Sequence, residues 1–195
     1  MAPNVLHLTG DVEADALLSS DPLALVIGML LDQQVPMEKA FRSPRDLKER
    51  LGGRLDPAEI ADYEPEAFAA IFARPPALHR FPGSMAARTQ ALARAVVDDY
   101  GGSAAAIWET AATGRDVYQR LKALPGFGDQ KARIFLALLA KRLGVQPPGW
   151  EEAAGPYAAD GFYSVADIDS PDSLAKVREY KRAKKAAAKA GSPDG

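Results

Sequence analysis

The chain has 195 residues, 47% of them hydrophobic, with 24 Lys and Arg against 26 Asp and Glu for a formal net charge of −2. That length suits one domain, or two small and intimately packed lobes, around a substantial core. The absence of cysteine excludes disulfides, thiolate zinc sites and a cysteine-ligated iron–sulfur cluster, and the charge balance means that any polyanion site must concentrate its donors locally.

The opening segment, MAPNVLHLTGD, has neither a basic head nor an apolar core long enough for a signal peptide, and no apolar run elsewhere approaches a membrane span. A cytoplasmic protein without a membrane partner is expected. Only NVLHL alternates as a strand would. Helix starts recur at Asp21-Pro22, Ser43-Pro44, Asp56-Pro57 and Ser170-Pro171, where a capping side chain precedes a proline suited to the first helical position. Ser43 with Asp46, Asp56 with Glu59 and Thr113 with Asp116 add the spacing of a capping box. Alanine- and leucine-rich stretches fill the intervals, so the expected fold class is all-α, with eight to ten short helices and no internal repeat. His7 and His79 are too far apart to suggest a metal site, and ordinary hydrogen-bonded histidines are expected.

From Thr113 to Leu143 the pattern reads helix, tight turn, helix. Val117, Leu121 and Leu124 form one apolar stripe, and Ala132, Phe135, Leu136, Leu139 and Leu143 form the next. Ile134, Ala137, Leu138 and Ala140 make the second helix apolar almost all round, which predicts a course through the middle of the molecule. The turn, LPGFGDQK, carries Gly126 and Gly128. Glycines at a helix start leave the amides around Phe127 to Gln130 unpaired at the positive end of the helix dipole, a local arrangement that suits a phosphate. Gly126, Phe127, Gly128, Asp129, Gln130 and Lys131 are therefore the expected backbone-binding residues, Lys131 adding a charge. A Pro-rich break, VQPPGW, and a polar segment follow. The tail over 170–190 reads as a basic helix fraying after Ala190, with seven cations against the single Glu179 between Lys176 and Lys189. It suits either a phosphate-binding arm or a solvated end.

LPGFGDQKA resembles the hairpin of the helix-hairpin-helix (HhH-GPD) DNA glycosylase superfamily. VIGMLLDQQV, about ninety residues upstream, resembles the family's early helix that ends in a glutamine motif. The likeness spans about 22–151 and is nearest a small bacterial branch without an iron–sulfur cluster. It implies a two-lobed all-α fold forming a single unit over 1–195, with damaged single- or double-stranded DNA in the cleft as partner. It further implies a flipped nucleotide, no metal or cofactor, and action as a monomer in base excision repair.

Within that likeness Gln33 or Gln34 is the expected wedge that fills the vacated stack. Gln130 stands where bifunctional members carry the Schiff-base lysine. Lys131, turned about 100 degrees further round the helix, is not expected to inherit that role, so a monofunctional N-glycosylase hydrolysing the base with water is implied. The family's catalytic aspartate follows the second hairpin helix. An ungapped count lands on Pro148, and a helix one turn longer, closed by Gly144, brings Glu151 to the place, with Asp32 and Glu152 as alternatives. Trp150 either walls the base pocket or anchors its loop. The competing expectation is a non-catalytic helix-hairpin-helix protein that recognises distorted or single-stranded DNA.

Overall fold

A computed structural model describes residues 5–191; among them are eleven α-helices, two 3-10 turns and no strand. The first group of helices is α1 (Val12–Ser20), α2 (Pro22–Leu31), α3 (Met37–Arg50), α4 (Pro57–Asp62), α5 (Pro65–Ala73) and α6 (Pro82–Tyr100). The second is α7 (Ala106–Glu109), α8 (Gly114–Lys122), α9 (Asp129–Leu143), α10 (Trp150–Ala154) and α11 (Pro171–Ala190), with 3-10 turns at Gly155–Ala158 and Val165–Asp167.

Most starts follow the capping chemistry. The Asp21 carboxylate accepts from the amides of Leu23 and Ala24 at 3.0 and 3.3 Å. Asp56 caps α4, Thr113 and Asp116 exchange both bonds of a capping box, and Ser170 forms one with Ser173. Ser43-Pro44 is the exception: it lies inside α3 rather than at a helix start. The Ser43 hydroxyl sits 2.8 Å from the Lys39 carbonyl and 2.7 Å from that of Leu78, so it ties α3 to the loop before α6. Met37, Ala40, Phe41 and Leu47 are buried along one face, and that burial outweighs the roughly 3 kcal/mol an internal proline costs. The expected NVLHL strand is also absent. Asn4 lies outside the described residues. Leu6 and Leu8 are buried, and the Leu6 amide donates to Ser19 Oγ at 2.9 Å; the alternation reflects one-sided burial against α1, with no partner strand.

α2 is buried at every position from Leu23 to Leu31 and packs among α1, α3 and α6. α9 holds the equivalent place in the second group, against α8, α10 and both 3-10 turns, and closes at Gly144 in the left-handed conformation. One hydrophobic core runs through both groups. No single helix among the described residues is long and apolar enough to cross a membrane. The important junction is end to end: the C-terminus of α2 meets the hairpin and the N-terminus of α9.

Candidate functional site

The hairpin between α8 and α9 is fixed from beneath. Gly126 has φ +79°, and a Cβ on it would stand 2.3 Å from Leu30 Cδ1, so both the backbone and the contact with α2 demand glycine there. The Phe127 amide donates to Leu124 O at 3.1 Å, and its buried ring meets Phe135 edge-on. Phe127 thus anchors the turn from inside, contrary to its expected place among the backbone-binding residues. Gly128 caps α9 with φ −103° and ψ −173°, extended backbone open to any residue, and a Cβ there would meet nothing within 4 Å. What glycine supplies here is bare surface: the cap has no side-chain bond, and the first-turn amides of Asp129, Gln130 and Lys131 have no intrahelical partner. Asp129 shares that rim. Hydrogen bonds from the Tyr118 hydroxyl and then Arg133 hold its carboxyl below the usual range.

Opposite the hairpin, α2 ends in Asp32-Gln33-Gln34. Gln33 is committed to structure: its Nε2 donates to Leu30 O at 2.8 Å and its Oε1 accepts from Arg88 Nη1 at 2.8 Å. Gln34 is exposed and makes no side-chain hydrogen bond within the described residues. Its φ of +60° is the only positive value among the described non-glycine residues, a local strain that the surroundings must hold. The holder is His79. Its Nε2 lies 3.1 Å from Leu31 O and 3.0 Å from Gln33 O, while its Nδ1 accepts from the Phe81 amide at 3.0 Å. Those partners place the proton on Nε2, and burial lowers the pKa, so the ring is neutral.

Between these two rims lies a cleft of about 300 Å3, bordered by Asp32, Gln34, Gln130, Lys131, Tyr163 and Lys181 among others. The Asp32 side chain is only 15% exposed, with Lys181 Nζ 4.0 Å from its Oδ2. Burial pushes its carboxyl up, partly offset by Lys181 and Lys131. Lys131 reaches across from α9, its Nζ 3.2 Å from Leu30 O and 3.4 Å from Asp32 O. Burial lowers this amine to about 8, against the pull of Asp32. Gln130 and Lys131 both border this cleft despite the turn of about 100 degrees between them, because the cleft wraps the start of α9.

The remaining wall comes from the segment after α10. Tyr163 packs edge-on against Tyr180 of α11 with centroids 5.0 Å apart, and both rings are well exposed. A buried ion pair pins this wall to α9. Lys141 Nζ lies 2.5 Å from Asp167 Oδ1, and the other carboxylate oxygen accepts from the amides of Tyr163 and Ser164.

Glu151, Glu152 and Trp150 stand elsewhere. The Pro-rich loop doubles back so that the Gly114 amide donates to Pro148 O at 2.8 Å, and α10 packs on α8 and α9 with Glu151 and Glu152 exposed. Glu152 borders a separate pocket with Tyr118 and Arg133. Trp150 is partly buried against the core, its backbone pressed over Gly114, where a Cβ would lie 2.4 Å from Trp150 Cα; it anchors the loop and does not line the Asp32 cleft.

Lys131 is a costly residue for the fold. Between pH 8 and its unfolded value of 10.5 the unfolded chain binds more protons, so stability should rise with pH through that window. Lys131→Met is accordingly expected to be more stable than the parent by about 1–3 kcal/mol at pH 7, an advantage that shrinks as pH approaches 10.5. Thermal melts of both proteins at pH 7 and pH 10 check this; an equal or growing difference at pH 10 would show that the amine is not desolvated.

No protein-family model matches the chain, and no curated protein shows significant similarity to it.

Proposed function

We propose that the protein is a monofunctional DNA N-glycosylase of base excision repair that acts on a nucleotide extruded into the Asp32 cleft. The observation that carries this reading is a convergence. A buried carboxylate, an unengaged glutamine in a strained backbone and the bare first-turn amides of α9 surround one cleft of about 300 Å3, on the scale of a single nucleobase.

In this reading the hairpin amides hold the strand by its phosphates, and Gln34 occupies the gap left in the stack, since Gln33 is already spent on Leu30 and Arg88. Tyr163 and Tyr180 offer aromatic surface to the base. Asp32 stabilises positive charge on the sugar as the base leaves and orients the attacking water. Glu151, exposed on α10, is displaced from that role. Gln130 cannot form a Schiff base, so the reaction stops at the abasic site.

A panel of labelled oligonucleotides carrying deaminated or alkylated bases, single- and double-stranded, tests this by abasic-site formation before and after alkali. Product is expected only after alkali, with no adduct trapped by borohydride. A trapped adduct lost on Lys131→Ala would make the cleft amine a nucleophile and end the monofunctional reading. The alternative, a non-catalytic protein that binds distorted or single-stranded DNA, draws on the placement of Glu151 and Glu152 outside the cleft; DNA binding without processing of any lesion would establish it.

A further inference from the structure

Beyond Lys181, on the other side from the Asp32 cleft, a wider groove of about 800 Å3 runs between α11 and the connection from α2 to α3. Gln34, Pro36 and Met37 form one wall. The other is cationic: Arg178, Lys181, Arg182 and Lys185 follow one face of α11 at i, i+3, i+4 and i+7, and Arg80 joins them from the loop before α6. Two carboxylates border the groove. Glu38 is engaged by Arg178, and Asp32 lies 4.0 Å from Lys181. Among the described residues Arg80, Arg182 and Lys185 have no carboxylate at ion-pair distance.

This arrangement differs from a tail that merely frays. The buried side chains of α11 end at Val177, yet the helix continues exposed to Ala190. Its basic face is turned onto the body by the Arg178–Glu38 pair and by Lys181 Nζ 3.7 Å from Met37 Sδ. A helix of such crowded like charge gains most from a polyanion laid beside it. Arg178 to Lys185 spans about 10 Å at 1.5 Å per residue, roughly three nucleotide steps at a 3.4 Å rise. The groove and the cleft share Asp32, Gln34 and Lys181, so a strand in the one leads directly to the other.

We propose that the α11 groove is a second phosphodiester-binding site, which holds the strand whose nucleotide enters the Asp32 cleft on the side away from the hairpin. This inference rests on the DNA reading above and adds to it a second sequence-independent backbone contact, made by side-chain cations where the hairpin uses main-chain amides.

The test is a salt titration of binding to single- and double-stranded oligonucleotides by the full chain and by Arg182→Gln/Lys185→Gln. Both side chains are exposed, so the variant should melt as the parent does. Loss of two phosphate contacts should flatten the slope of log affinity against log salt by about 1.4 to 1.8, weaken binding at least tenfold at low salt, and do so equally for every sequence. Lys48→Gln/Arg54→Gln, in the last turn of α3 and the loop beyond it, removes the same charge and should leave the slope unchanged. An unaltered slope in the groove variant, with DNA still bound, would overturn the groove while leaving the DNA reading intact. No DNA binding by the parent protein would remove both, and parent binding to polyglutamate but not to DNA would assign the groove to an acidic protein.

Discussion

Asp32→Asn is expected to slow base release by about two orders of magnitude or more while DNA affinity stays level or rises. The substitution keeps size and shape and removes the charge. If the carboxylate supports the sugar cation and accepts a proton from water, its loss removes an interaction made mainly in the transition state, so the rate falls and binding does not. Relief of repulsion with phosphate, and of the cost of burying the anion, pushes affinity and stability the other way. The pH profile adds a signature that a structural role would not give. Burial raises the Asp32 pKa, so activity should climb with pH through a limb above the 3.8 of an ordinary aspartate, and that limb should vanish in the asparagine variant. Glu151→Gln and Glu152→Gln, both altered on the exposed face of α10, should retain nearly full activity. Loss of activity in Glu151→Gln with retention in Asp32→Asn would place the chemistry on the loop after α9 and take it out of the cleft.

That contrast between Asp32 and Glu151 marks where the sequence was legible and where it was not. Local chemistry was readable: Asp21, Asp56, Thr113 and Ser170 cap the helices they precede, and Gly144 closes α9, because each decision is made within a few residues. Ser43-Pro44 carries the same local signal and sits inside a helix, because the apolar face of α3 packs against α2 and the Ser43 hydroxyl bonds Leu78 O, contacts that lie outside the few residues around the proline. The site has this second character throughout. Counting along the sequence brings Glu151 to the place where the resemblance implies a carboxylate, but the Pro-rich loop folds back on Gly114 and Glu151 does not border the cleft. Asp32 enters the cleft because α2 ends against a hairpin nearly a hundred residues later, where Lys131 bonds Leu30 O. His79 holds the Gln34 turn, and nothing near it in sequence announces those partners. The basic run in α11 was visible as composition; its direction, toward Gln34 and Asp32, depends on Arg178 finding Glu38.

The two hairpin glycines should separate folding from binding. At Gly126 the backbone is left-handed at φ +79°, and an added Cβ would lie 2.3 Å from the buried Leu30 Cδ1. Gly126→Ala should therefore cost about 1–2 kcal/mol for the dihedral and about 1–3 kcal/mol for the forced contact, lowering the melting temperature by roughly 5–15 °C. Leu30→Val in the same chain should recover part of the contact cost and none of the dihedral cost, so the double variant should be less destabilised than the two single effects combined. Gly128 behaves differently, because φ −103° and ψ −173° suit a β-branched residue and its Cβ position is open. Gly128→Val should cost no more than about 1 kcal/mol, because valine is a poorer N-cap than glycine, and shift the melting temperature by only about 2–4 °C, since the open site adds neither backbone strain nor a forced contact. Its isopropyl group would stand over the first-turn amides and keep phosphate away, so binding should weaken alike for every DNA sequence, with a shallower salt dependence. A Gly128→Val protein that melts normally and binds DNA as the parent does across the salt range would show that no phosphate rests on the hairpin. A large loss of stability at Gly128 with none at Gly126 would mean that the hairpin meets Leu30 in some other way.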